Sequence, residues 1–220
     1  MRIAGLDVAF SNDYMALVIV EKDSDEKIRL VHLATWRKFD WHLWKQDIKT
    51  KQSKFNIDWI YVDRTNNQSV VMELEEMGMR VEGVSFVNSN KYDMIRNATK
   101  QIVTGELIMP VVSALQFARQ KRLVEELNEQ IREQEYRHES ANVKLTHPQG
   151  RHDDLLWALC LALHGVSLKW SIGEPLIMCF SADDFDPPDP RDQILDRALG
   201  RFRGSGITIT DVKITYPDEQ

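Results

Sequence analysis

Gly5-Leu6-Asp7-Val8-Ala9, reached through the lead-in Arg2-Ile3-Ala4, reads as a short apolar strand that ends on a carboxylate. Working outward, the same signature recurs at Ile60-Tyr61-Val62-Asp63. It returns in another form at Arg151-His152-Asp153-Asp154, where two acids open an apolar helix. Two strand ends and one helix start can converge on a single point. Carboxylates gathered there can bind a pair of divalent cations, which is the chemistry of phosphodiester cleavage rather than of acid/base work on a neutral substrate.

The flanking text sets the fold class. Arg2–Val8, Tyr14–Glu21 and Ile28–Ala34 are rich in β-formers and closely spaced across the charged turn 22–27, so they predict an antiparallel meander. Trp41–Lys51 reads as a helix and Ile57–Val62 as a buried strand. Beyond Asp63 helices and strands alternate. Gln68–Met77 is helical and stops at Gly78, Arg80–Val87 is a strand, and Ser89 is placed to cap a helix over Lys91–Thr104 closed by Gly105. Glu106–Met109 reads as a short strand, Ser113–Ile131 as a long amphipathic helix and Glu135–Thr146 as a hairpin. Asp153–His164 is a helix with Leu155, Leu156, Leu159, Cys160 and Leu163 on one broad face. The expectation is an α/β protein: a mixed central sheet, antiparallel meander plus parallel strands, flanked by helices. The stretch 181–190 (SADDFDPPDP) is acidic and proline-rich, and reads as a linker or loop. A helix over Asp192–Phe202 and a strand over Gly206–Thr215 are expected after it. The division is therefore residues 1–170 as the main domain and residues 171–220 as a C-terminal appendage.

At 220 residues, 43% hydrophobic and 28% charged, the chain has the composition of an ordinary globular protein with a core of useful size. No run of eighteen apolar residues exists to span a membrane. The N-terminus runs straight into a strand without a signal peptide's apolar stretch. Cys160 and Cys179 give neither a disulfide framework nor zinc spacing, and Cys160 falls on an apolar helix face as a core residue. A reducing cytoplasm is the expected compartment. The net charge of −6 weighs against a nucleic-acid partner. However, the tail 179–220 carries 9 acids against 5 bases, so much of the excess lies outside the main domain. Acids in a metal site are moreover neutralised by bound cations. No Gly-Lys pair occurs, so a Walker A loop and P-loop ATP hydrolysis are absent.

Each acid has a plain structural explanation when taken singly. Asp7 suits a turn or an edge, Asp63 an N-cap or Asx turn feeding the next helix, and Asp153 and Asp154 helix-dipole compensation. Taken together they form a hard-oxygen set suited to Mg²⁺ or Mn²⁺ rather than zinc. Asp7 is expected to bridge two ions, and Asp63 and Asp154 to complete one shell each. His152 either orients water or phosphate or simply precedes the helix, and Asp13 is either an outer acid or a turn residue. The remaining histidines lack ligand spacing. Trp36, Trp41 and Trp44 read as core around the first helix. Lys45, Lys49, Lys51 and Lys54 read as a solvated face. Arg119, Lys121, Arg122, Arg132, Arg137, Lys144 and Arg151, along the later helix and hairpin, are candidates for phosphate contact.

The order of these motifs resembles the nuclease domain of viral terminase large subunits. Gly5-Leu6-Asp7-Val8-Ala9 with Asp13-Tyr14 is similar to that family's opening, and Val62-Asp63-Arg64-Thr65 to its second acidic strand. The stretch Gly78 to Pro110, with Lys91 and TGELIMP, is similar to its middle. Gly150-Arg151-His152-Asp153-Asp154 with Leu155–Leu163 resembles its third acidic motif, over about residues 1–165 in all. The resemblance implies an RNase H-like fold and an endonuclease that cuts concatemeric viral DNA during packaging. It places two Mg²⁺ or Mn²⁺ ions on Asp7, Asp63 and Asp154, with Asp153 nearby; His152, from its position beside them in the sequence, joins the catalytic candidates. Implied partners are double-stranded DNA and, through the wider assembly, a terminase ATPase domain or small subunit and portal. Two departures stand out: Asn66 and Asn67 occupy positions where the family often has glycine, and this sequence lacks the ATPase motor that family members normally carry before the nuclease, so it reads either as an excised C-terminal domain or as a stand-alone nuclease. Two other readings remain open, a Holliday-junction resolvase or other RNase H-like nuclease, and a non-catalytic DNA-binding or assembly module.

Overall fold

The computed structural model describes residues 1–8, 14–37, 41–65, 67–133, 135–139, 142–146 and 152–171. The expected linker, helix and strand of the tail lie outside these residues, as do Asp13, Asn66 and Arg151.

A six-stranded mixed sheet organises the chain. Strands β1 (Arg2–Asp7), β2 (Tyr14–Lys22) and β3 (Ile28–Arg37) form the predicted antiparallel meander. Strands β4 (Trp59–Asp63) and β5 (Val81–Val84) extend it in parallel beyond β1, and the two-residue β6 (Leu107–Ile108) pairs in parallel with β3. The spatial order is β5-β4-β1-β2-β3-β6. A separate hairpin joins β7 (Glu135–Glu139) and β8 (Asn142–Thr146).

Helices cover both faces because the central strands are apolar on both sides. On one face, α1 (Trp41–Phe55) and α2 (Gln68–Glu76) contribute Trp44, Ile48, Val70, Val71 and Leu74, which pack with Ala4, Leu6, Leu17, Ile60 and Val62. On the other, α3 (Asn88–Val103), α4 (Ala118–Glu133) and α5 (Asp154–Ser171) enclose Ile3, Val18, Val20 and Tyr61. Helix α5 lies against the sheet centre, and Leu155 through Leu163 are all buried, Cys160 among them. Gly78 and Gly105 end α2 and α3 with φ of +77° and +68°, the left-handed turn that a β-carbon disfavours. No helix of the described residues is long and apolar enough to cross a membrane.

Three expectations need correction. Ser89 does not cap α3: the helix begins at Asn88, after Val87 in an extended conformation, and has no side-chain cap bond. The long helix expected from Ser113 is interrupted. A 3-10 turn covers Val112–Ala114, Leu115 turns extended, and α4 starts only at Ala118. Helix α5 also outruns its expected end at His164 by seven residues.

Candidate active site

Strands β1 and β4 are parallel neighbours in the register Ala4↔Ile60, Gly5↔Tyr61, Leu6↔Val62. One step further along that register brings Asp7 beside Asp63. Side chains alternate between the faces of a strand. Ala4, Leu6, Ile60 and Val62 belong to the α1/α2 core, whereas Ile3 and Tyr61 belong to the α5 core. Asp7 and Asp63 therefore share the α5 face.

Close backbone packing brings the third motif to the same edge. A β-carbon on Gly5 would lie 1.9 Å from the Ala158 carbonyl oxygen and 2.5 Å from the Ala162 nitrogen, so only glycine lets α5 cross β1 here. A β-carbon on Gly165 would lie 2.3 Å from the Tyr61 ring and 3.0 Å from Ile3 Cγ2. Residues 158–162 thus cover Gly5 while residue 165 covers Ile3, and α5 runs antiparallel to β1. One helical turn before Ala158, Asp154 is carried toward the Asp7 end of the strand. The Cys160 thiol registers the result: burial pushes its pKa up, and the charges of Asp153 and Asp7 push it further. This thiol is inert core, as expected.

The acids are held by neighbours. Asp63 Oδ1 accepts the Thr65 N–H at 2.8 Å, which is the Asx turn weighed in the sequence. Thr65 Oγ1 in turn accepts the Phe86 N–H at 2.7 Å. Asp153 Oδ2 accepts the Trp157 indole N–H at 2.8 Å, and the Trp157 ring packs on Phe86 at 5.3 Å. Asp154 is only 5% exposed, an acid at the positive end of a helix. His152 Nδ1 lies 3.9 Å from Asp154 Oδ2, and its ring meets Tyr14 edge-on at 4.8 Å.

Three contributors escaped the sequence reading. Gln130 is buried on α4, and its Oε1 accepts the Leu156 N–H at 2.9 Å, capping α5 from a neighbouring helix. Its signal was present: Leu123, Leu127 and Gln130 recur at helical spacing, a polar residue on an apolar stripe. Asn67 is buried, and its Nδ2 donates to the Val8 carbonyl at 3.3 Å. Glu126, also on α4, lies within the field of His152; its pKa is raised by burial, against the opposing charges of Arg122 and His152.

The donor set at this edge is all carboxylate oxygen apart from His152, which fits a hard divalent cation. Among the described residues, no three His, Cys, Asp or Glu side chains stand close enough, as placed, to hold one ion. The backbone brings the acids to one edge, and the Asp63 and Asp153 side chains rest on Thr65 and Trp157 respectively.

The basic candidates divide. Lys45 pairs with Glu73, Lys51 with Asp47, and Lys49 bonds Gln52, so the first-helix lysines are engaged within the protein. Arg119 donates to the Thr35 carbonyl at 2.9 Å. Arg122 lies beside Glu126. Arg137 and Lys144 stand opposite each other in the hairpin register. Lys121 falls on the first turns of α4 and is half-buried.

A family model described as the terminase RNaseH-like domain matches residues 4–165. No curated protein sequence matches the chain. Among solved structures, the large terminase nuclease of thermophilic phage G20c aligns with a TM-score of 0.61 at 19% identity, over 74% of this chain and 81% of that one. The same nuclease with bound magnesium gives 0.60 at 18%, over 74% and 80%. The nuclease domain of the terminase large subunit of bacterial virus Sf6, a variant with manganese and beta-thujaplicinol, gives 0.55 at 10%, over 74% and 87%. At these identities the structural likeness establishes the RNase H-like fold alone.

Proposed function

Because this chain belongs to the terminase RNaseH-like domain family, we propose that it is a metal-dependent DNA endonuclease that cuts concatemeric viral DNA during genome packaging. One observation carries the reading. Asp7 and Asp63 share a face on adjacent parallel strands, and antiparallel α5 brings Asp153 and Asp154 to the same edge. Carboxylates gathered at one edge are the donor type that a hard divalent cation takes. The relatives solved with magnesium and with manganese support the same class of ion.

Asp7 would hold both of two Mg²⁺ or Mn²⁺ ions, with Asp63 and Asp154 completing one shell each and Asp153 beside them. When bound, such ions lower the pKa of a coordinated water and stabilise the leaving 3′-oxygen. The chain's own residues do the rest. A carboxylate has two oxygens, so Asp63 keeps the Thr65 N–H on one while offering the other. His152, near Asp154 and Tyr14, orients the attacking water or the phosphate. Arg119, Lys121, Arg122, Arg137, Lys144 and Arg151 contact the backbone of double-stranded DNA. An ATPase domain, supplied in the same polypeptide or separately, and the small subunit and portal complete the assembly.

The test is cleavage of linear and supercoiled duplex DNA with Mn²⁺. The wild type cuts; Asp7→Ala and Asp63→Asn abolish cutting without lowering the melting temperature. Undiminished cleavage by both purified variants would overturn the site.

A further inference from the structure

Asn67 sits at the N-cap position of α2, where an asparagine ordinarily turns its side chain onto the first turn of its own helix. Here it does not: no side-chain cap bond forms, and only its carbonyl serves α2, accepting the Val70 N–H at 3.0 Å and the Val71 N–H at 3.4 Å. The side chain reaches across 59 residues of sequence instead, and its amide donates to the carbonyl of Val8. At 4% exposed, the residue has given up a cap for a tie between two strand exits.

The place of that tie matters. The β1–β4 ladder ends at Leu6↔Val62. Asp7 and Asp63 follow at once, beyond the last paired residues of the two strands. On its far side β4 is still held, because the Arg64 N–H donates to the Val84 carbonyl. On its far side β1 is held as well, through Asp7↔Ala16. The Asn67–Val8 bond ties the two strand exits together, from one residue beyond Asp7 to four residues beyond Asp63.

We propose that Asn67 is a positioning residue: its amide sets the separation of the strand ends that carry Asp7 and Asp63, and thereby the site's affinity for a divalent cation. The proposal rests on the nuclease reading for its consequence and on the Asn67–Val8 geometry for its cause. Loss of an outer contact of this kind typically lowers metal affinity by about tenfold or more.

Two variants separate positioning from folding. Asn67→Asp is isosteric and a good N-cap but cannot donate to Val8. Asn67→Ser also caps and is too short to reach. Both are expected to melt within about 3 °C of the wild type, the shift that about 1 kcal/mol produces in a chain of this size. Mn²⁺ titration calorimetry should show affinity falling about tenfold in each. The fall in Asn67→Asp is the telling one, since its added negative charge alone would strengthen cation binding. In DNA cleavage, kcat at fixed Mn²⁺ should drop while KM for DNA stays unchanged. Unaltered Mn²⁺ affinity in both variants overturns the proposal. A wild type that neither binds Mn²⁺ nor cuts DNA defeats the nuclease reading separately. The tie is then decided by side-chain NMR of the metal-free protein: slow exchange of the Asn67 amide protons supports it, and solvent-rate exchange overturns it.

Discussion

Gly5 shows how much one missing methyl decides. Its hydrogen faces the α5 backbone so closely that Gly5→Ala must push the helix off β1, moving Asp153 and Asp154 away from Asp7. Overpacking against rigid backbone costs about 3 kcal/mol, so urea denaturation should find that loss, and Mn²⁺-dependent cleavage should fall with it. His32 makes a prediction of another kind. Burial, with Lys51, Lys54 and Arg119 around it and Asp47 opposing, lowers its pKa from 6.5 to about 4. Its ring stacks on Phe55 at 4.6 Å. The unfolded chain takes up a proton on this histidine below pH 6.5, and the folded one only near pH 4. Stability is therefore full above pH 6.5 and declines as pH falls toward about 4. Denaturant midpoints across that range check the decline, and His32→Asn should flatten it.

At the scale of elements, α5 holds the centre of the sheet and α4 holds α5. Gln130→Leu leaves the buried Leu156 N–H without an acceptor, at a cost of about 1–3 kcal/mol. It should depress Mn²⁺-dependent cleavage more than DNA binding, because the turn it frays carries Asp153 and Asp154. On α3, the Lys91 ammonium lies over Phe86 at 5.1 Å and over Trp157 at 5.0 Å, on the ring that donates to Asp153. A cation so placed can reach a phosphate entering the site. Lys91→Met keeps the apolar stem and should reduce the salt slope of DNA binding by about one, with the fold intact. The elements themselves were largely legible. Each acid-tipped strand is a short apolar run, and Gly78 and Gly105 end their helices as their residue type predicts. Helix α5 passes the end expected at His164 because Gly165 is the small residue against which the Tyr61 ring packs, and the helix continues to Ser171. The break before α4 was hidden because Val112 and Leu115 pack on the core as a helix face would. Asn67 and Gln130 were hidden because their partners lie 59 and 26 residues away, and local pattern carries no trace of a hydrogen bond across such a span.

Taken whole, the molecule is acidic, with a net charge of −6, and its proposed ligand is a polyanion. Net charge supplies no attraction between the two; on the proposed reading, divalent cations at the carboxylate edge would supply part of it. DNA affinity should therefore rise about tenfold or more when millimolar Ca²⁺ replaces EDTA at constant ionic strength, a gain above what screening supplies. Fluorescence anisotropy with a labelled duplex measures it, and Asp7→Ala should cancel it. The antiparallel crossing of α5 over β1 has a last consequence, for the order in which the protein is made. Its two partners are the first strand of the chain and the last described helix, so the contact between them is among the most distant in sequence that this domain contains. Loops of that length close late. While the ribosome is still adding α3 and α4, the strands that carry Asp7 and Asp63 have been made, yet the helix that carries Asp154 has not been translated. On the nuclease reading proposed above, a half-made polypeptide would lack two of the four acids, and the capacity to cut would arrive only once α5 is in place.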